Sequence, residues 1–211
     1  ALCKLGAEEV IGLLIESMQN LKPGDCAEII EVLGKTGKPA VEPLIACLRD
    51  YSLNVEPECA IRALIKIGKP AVEPLIACLN DKDFRKGRIK PPRLVVDALG
   101  KIGDECAVEA LISCLNDNDS IIRIYAIKGL GDIGDKRAVE PLIGFLNDKG
   151  LVTRISAVEA LSKIADIRTF DIMAAVRADA KMHARFYPLH RLSPELLQYI
   201  QPCAFYTAGN T

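Results

Sequence analysis

A chain of 211 residues with 50% apolar side chains has enough material for one packed domain or one short repeat array. Its formal net charge of -1 excludes both a wholly basic nucleic-acid binder and an acidic tail protein. Aromatic residues make up only 5% and tryptophan is absent, so Leu, Ile, Val and Ala must do the packing, as they do in stacked helices.

Taken in chain order, the sequence repeats itself. A phrase of the form small-Leu-Gly-Lys-Ile-Gly occurs at Ala1–Gly6, Val32–Gly37, Ala63–Gly68, Ala98–Gly103, Gly129–Gly134 and Ala160–Ala165, with starts 31, 31, 35, 31 and 31 residues apart. A second phrase follows it at 39–50 (PAVEPLIACLRD), 70–81 (PAVEPLIACLND), 106–117 (CAVEALISCLND) and 137–148 (RAVEPLIGFLND). Val41, Leu44, Ile45 and Leu48 stand at i, i+3, i+4 and i+7, one face of a helix. Pro39 and Pro70 fall where a helix begins, and Pro43, Pro74 and Pro141 lie close behind, where a missing donor costs little. Gly37, Gly68, Gly103 and Gly134 suit a left-handed residue after the second helix. The unit is thus helix A, a turn, helix B and a glycine-marked turn. Neither helix can bury its stripe alone, so successive pairs must stack.

The cysteines follow the repeat. Cys47, Cys78 and Cys114 occupy one position in three units, and Phe145 takes it in the next, which marks a core slot. Stacked helices lie roughly 8–10 Å apart, beyond the ~7 Å Cα limit for a disulfide. These cysteines are therefore read as reduced and buried, and a reducing cytoplasm is the expected compartment. No Cys-x-x-Cys occurs, so no metal is expected. No apolar run can span a bilayer and no secretory leader opens the chain, so no membrane contact is expected. The chain opens inside a B segment, and whether further repeats precede Ala1 is left open.

On these phrases the chain resembles the HEAT-like repeats of the phycobilisome bilin-lyase type, clearly over 1–179 and in degraded form to 192. The resemblance implies an all-α, right-handed α-α superhelix, a HEAT/armadillo-like solenoid over 1–192. It would hold five full helix pairs and a degraded sixth, with a C-terminal cap segment at 193–211. It also implies an Asp in the turn paired with an Arg six residues on in helix B. Asp117–Arg123, Asp148–Arg154 and Asp179–Arg185 match, whereas Asp50 is followed by Glu56.

In such solenoids helix B lines the concave face. With the small residue before Leu as position zero, the outward positions are -5, -4, -1 and +3. The +3 row reads Lys4, Lys35, Lys66, Lys101, Asp132, Lys163, and the -1 row reads Glu31, Arg62, Asp97, Lys128, Glu159. The two rows predict i,i+4 pairs Glu31–Lys35, Asp97–Lys101, Lys128–Asp132 and Glu159–Lys163, a self-neutralised face on which nucleic acid is not expected. Positions -5 and -4 turn apolar toward the C-terminal half. They define a partner-binding stripe of Leu94, Ile124, Tyr125, Ile155, Phe186 and Tyr187, with Cys59 and His190 at its margins. Tyr199, Phe205 and Tyr206 offer the alternative that the tail itself covers this stripe.

The third unit carries about four extra residues in a loop holding Lys82, Arg85, Lys86, Arg88, Lys90 and Arg93. Such a loop is either a solvated insertion or a contact for an acidic partner or phosphate. Glu42, Glu73, Glu109 and Glu140, early in helix A, are accounted for by the helix dipole. His183 and His190 are the two histidines, and no His-Glu pair, Walker loop, G-x-S-x-G or G-x-G-x-x-G appears. No catalytic residue, metal or cofactor is therefore assigned. The expected function is a protein-interaction or assembly scaffold with a protein partner on the concave face. The alternatives are a phycobilin or other tetrapyrrole chromophore lyase subunit, implied by the resemblance, and a weak anionic-polymer binder using loop 82–93.

Overall fold

The computed structural model describes residues 6–19, 21–22, 24–81 and 91–164. All of these fall in the first of two units, Ala1–Ile164; the second, Ala165–Thr211, lies outside them, and with it the degraded sixth repeat and the cap. Among the described residues every regular element is helical. The α-helices are α1 (Ala7–Met18), α2 (Ala27–Thr36), α3 (Val41–Arg49), α4 (Pro57–Ile67), α5 (Val72–Asn80), α6 (Pro91–Ile102), α7 (Val108–Cys114), α8 (Ser120–Ile133), α9 (Val139–Ile143) and α10 (Leu151–Ile164). Odd-numbered helices are the A helices and even-numbered ones the B helices.

The A helices from α3 onward open with a 3-10 turn, at Lys38–Ala40, Lys69–Ala71, Glu105–Ala107 and Lys136–Ala138. Pro39 and Pro70 sit in that turn, where no donor is lost. Helix α9 is the exception to the repeat, because after Ile143 the chain tightens to a 3-10 turn over Gly144–Asn147. Its predecessors carry Ala46, Ala77 and Ser113 where Gly144 stands, and glycine is roughly 1 kcal/mol poorer than alanine in a helix.

The B helices α2, α4, α6 and α8 end at glycines with positive φ. Gly134 is left-handed (φ 77°, ψ 15°), as expected, and Asp135 follows it and accepts from Arg137 N at 2.8 Å. Gly37 and Gly68 share the positive φ but take ψ of -139° and -135°, a region open essentially to glycine. There Lys-Pro follows, which supplies no side-chain cap.

One interior serves all pairs. Leu44, Leu75, Leu111 and Leu142 from the A helices are fully buried, as are Leu33, Leu64, Leu99 and Leu130 from the B helices. Cys47, Cys78 and Cys114 are buried free thiols in the core slot their spacing indicates. Burial pushes the Cys47 thiol up to about 11, which keeps it protonated and inert.

The two rows of helices pack unequally. Each B helix lies extensively on the next, α2 on α4, α4 on α6, α6 on α8 and α8 on α10, whereas α1, α3 and α5 touch one another sparingly. This unequal packing accords with the placement that the resemblance implies, with the B helices lining the concave side. Small residues permit this approach at a fixed place in the register. A Cβ on Gly100 would lie 2.5 Å from Gly129 Cα, and one on Gly131 would lie 2.6 Å from Ala160 Cα. At the α6–α8 and α8–α10 seams position +2 therefore abuts position zero of the next repeat, backbone against backbone, whereas Gly34 at +2 of α2 faces the Lys66 side chain.

Gly100→Ala should lower the stability measured by thermal melting by about 1–3 kcal/mol, the usual cost of overpacking a tight contact. Gly12→Ala, in an exposed stretch of α1 where a Cβ meets nothing within 4 Å, should raise it by up to about 1 kcal/mol.

Candidate binding surface on the B helices

Leu94, Ile124, Tyr125 and Ile155 lie at equivalent places near the starts of α6, α8 and α10, and all four are half-buried. Each is partly supported by the helix beside it and partly open. Arg93, assigned from sequence to the basic loop, instead lies within α6 and belongs to this surface. Its guanidinium carbon sits 5.8 Å from the Tyr125 ring centroid, a cation-π contact between neighbouring B helices. Its Nε is buried with no hydrogen-bond acceptor. Pro91 and Pro92 explain the reassignment, since proline is well accommodated in a first helical turn and starts α6 ahead of Arg93. Lys82, Arg85, Lys86, Arg88 and Lys90, and likewise Phe186, Tyr187 and His190, lie outside the described residues.

Cys59 does not border an open face. It is fully buried, with its Sγ 2.9 Å from the Sγ of Cys26 at the N-cap of α2. Ser156, at the same register position in α10, is also buried at 2% exposure. Position -4 thus opens in the middle of the array, at Leu94 and Tyr125, and closes on either side.

The charged rows are tied together differently from the i,i+4 expectation. Lys101 donates to Asp97 at 2.7 Å, as expected. Lys66, however, reaches back to Glu31 of the preceding B helix, and Lys163 reaches Asp132 at 2.6 Å across 31 residues. The close seam brings a long lysine within range of the previous helix, and that contact competes with the one on its own helix. The Lys66 hydrogen bond holds the Glu31 carboxyl below its ordinary range, and the Lys35 charge adds to it. Lys128 remains exposed beside the stripe.

The family Asp–Arg pair forms through the main chain. Arg123 donates to the carbonyls of Asp117 (2.9 Å) and Asn118 (3.1 Å), and Arg154 to those of Asp148 (2.6 Å) and Lys149 (3.2 Å). The carboxylates of Asp117 and Asp148 close the turn by accepting from Asp119 N (2.9 Å) and Gly150 N (2.7 Å). Asp50 accepts from Ser52 N at 2.9 Å in the same way, so the Asp serves a turn even where Glu56 replaces the Arg.

A second ladder of ion pairs runs along the B-to-A turns and the A helices. Lys69 meets Asp104 at 3.2 Å, and Arg137 meets both Asp135 (2.7 Å) and Glu109 (3.2 Å). The hydrogen bonds from Cys106, then that from Lys69, hold the Asp104 carboxyl down; Arg137 does the same for Asp135. Glu109, read from sequence as a dipole residue alone, is thus also an inter-repeat partner. Among the described residues no group of three or more His, Cys, Asp or Glu could hold a metal, and no helix is long and apolar enough to cross a membrane.

Stacked antiparallel helix pairs with a tighter inner row define an all-α solenoid. Within that class, the HEAT repeat family matches residues 89–162 and 108–182, and the PBS lyase HEAT-like repeat matches 60–81. The chain therefore carries HEAT repeats, one of them of the PBS lyase type. No curated protein matches it in sequence. Among solved structures it is similar to computationally designed armadillo repeat proteins for modular peptide recognition, at 16% identity, covering 93% of this chain and 90% of that one, with a TM-score of 0.53. It is also similar to a designed armadillo repeat protein in complex with the peptide (KR)4, at 18% identity and a TM-score of 0.52, covering 93% and 91% of the two chains. At these identities the likeness establishes the fold.

Asp50, Asp104, Asp135 and Glu31 are all held below their ordinary ranges. Their contribution is present above the unfolded carboxylate values, about 4, and is lost as pH falls through the lower folded values. Melting temperature should therefore fall steadily below about pH 4, and Asp135→Asn should flatten that fall relative to wild type.

Proposed function

We propose that the chain is a protein-interaction scaffold that holds an extended partner segment against the concave side of α6, α8 and α10. The observation that carries this reading is the half-open apolar stripe of Leu94, Ile124, Tyr125 and Ile155, set beside a lysine row whose charges are largely taken up by neighbouring helices. An apolar strip flanked by paired polar groups takes up side chains by desolvation, while a row of paired charges adds little. Arg93 on Tyr125 and exposed Lys128 make the local field positive, so the fitting segment is apolar with an acidic residue. The peptide recognition stated for the designed armadillo proteins supports the mode of binding. The basic (KR)4 peptide would be repelled by Arg93 and Lys128. Buried free thiols favour a reducing compartment such as the cytoplasm.

The test is a panel of defined peptides measured by fluorescence anisotropy. Peptides pairing aromatic or aliphatic residues with Asp or Glu should bind, and Tyr125→Glu should weaken them at least about tenfold, roughly 1.4 kcal/mol, without loss of helicity. Preference for (KR)4, or equal binding by wild type and Tyr125→Glu, would remove this site. The chromophore-lyase reading has the PBS lyase-type repeat at 60–81 in its favour. It requires that a linear tetrapyrrole change its absorption spectrum on mixing with the protein.

A further inference from the structure

The cysteine pair between α2 and α4 stands outside the repeat template at both of its ends. Cys26 occupies the -6 position, which carries Arg123 and Arg154 in α8 and α10. Cys59 occupies the -4 position, which carries Leu94 and Tyr125 in α6 and α8. Both cysteines are fully buried, 33 residues apart in sequence, and their sulfurs are 2.9 Å from each other. Cys26 Sγ also donates to the Lys22 carbonyl at 3.4 Å, in the turn that precedes α2. Two sulfurs on one metal ion, each about 2.3 Å from it, stand roughly 3.7 Å apart, so this spacing does not suit a shared metal. It suits sulfur–sulfur chemistry, because the two helices are in contact here and the sulfurs already lie 2.9 Å apart.

We propose that Cys26 and Cys59 form a reversible intramolecular disulfide on exposure to a small-molecule disulfide, stapling the start of α2 to the start of α4. The Cys26 thiolate attacks one sulfur of the small disulfide RSSR, its proton passes to solvent, and RS⁻ leaves with the electron pair of the broken S–S bond. The Cys59 thiolate then attacks Cys26 Sγ in the mixed disulfide, forming the internal S–S bond and expelling the second RS⁻. Two protein thiols are oxidised, one RSSR is reduced to two RSH, and the protons lost by the cysteines are those the products take up. Burial, then the neighbouring Cys26, push the Cys59 thiol up to about 12, which disfavours Cys59 as the first attacking sulfur. The staple closes a loop through α2 and α3, restricting the unfolded chain there, whereas Cys47, Cys78 and Cys114 stay reduced in their separate slots.

The full chain is incubated with oxidised or reduced glutathione, denatured in acid, alkylated with N-ethylmaleimide, digested and mapped by mass spectrometry. A peptide linking Cys26 to Cys59 is expected, with loss of two alkylation sites and a melting temperature roughly 5 °C or more higher, all reversed by dithiothreitol. Cys59→Ala and Cys26→Ala should each abolish the linked peptide and the rise in melting temperature. The two variants guard against a failure of either to fold. Full alkylation of both cysteines after exposed Cys106 has formed a mixed disulfide would overturn the proposal, as would a link from Cys26 to another cysteine. Repeating the incubation in sub-denaturing urea tests access to the buried pair, and absence of the link there overturns it equally.

Discussion

The contact between successive B helices is the constraint on which the rest of the molecule depends. Each helix pair leaves an apolar stripe that only another pair can cover, so the array is held by nearest-neighbour burial. How closely the inner row approaches is decided at the seam, where Gly100 meets Gly129 and Gly131 meets Ala160. A side chain at Gly100 or Gly131 would wedge the row apart and flatten the curve. Among the described residues the A helices α1, α3 and α5 touch one another more sparingly. Close approach of α6, α8 and α10 thus follows from small residues at two register positions.

The same closeness rewires the polar surface. On an isolated helix, Glu31 would pair with Lys35 and Lys128 with Asp132. With the next helix near, Lys66 and Lys163 cross the seam. Such exposed pairs are worth about 0–1 kcal/mol each, too little to hold the stack together. Their consequence lies in surface chemistry: a row that reads as a lysine stripe is mostly neutralised. The apolar residues at positions -5 and -4, around Tyr125 and its Arg93 partner, remain as the distinctive part of that face. The turns obey a separate logic, in which aspartates at 50, 104, 117, 135 and 148 accept backbone amides and fix the chain direction between helices.

Much of this was legible in the residues. The 31-residue period located each helix pair, the core slot at Cys47, Cys78 and Cys114 was readable from its occupant Phe145, and the glycine turns were marked. These are properties of the chain one unit at a time, and a one-dimensional array translates local pattern into structure almost directly. The misreadings sit where two units meet or where local chemistry competes. Arg93 looked like a loop residue until Pro91 and Pro92 proved to start a helix. Gly144 stood in a phrase closely similar to three helical ones, and the chain tightens there to a 3-10 turn. Cys59 was assigned to an open margin because its register position is open in α6 and α8, yet in α4 it faces Cys26. Register gave no warning of this, because position -6 reads Cys26, Pro57, Pro92, Arg123 and Arg154 in successive B helices.

The sequence by itself determined the class of fold, the repeat length, the identity of the buried leucines and the places where turns must fall. All of these depend on periodicity and on the backbone preferences of Gly, Pro and Asp, which act over a few residues. The tertiary structure alone decided which lysine pairs with which acid, which of the -4 residues are open, and which two cysteines meet. Those outcomes depend on the distance between helices 31 or more residues apart, a distance fixed by the shapes of side chains on both sides of a seam.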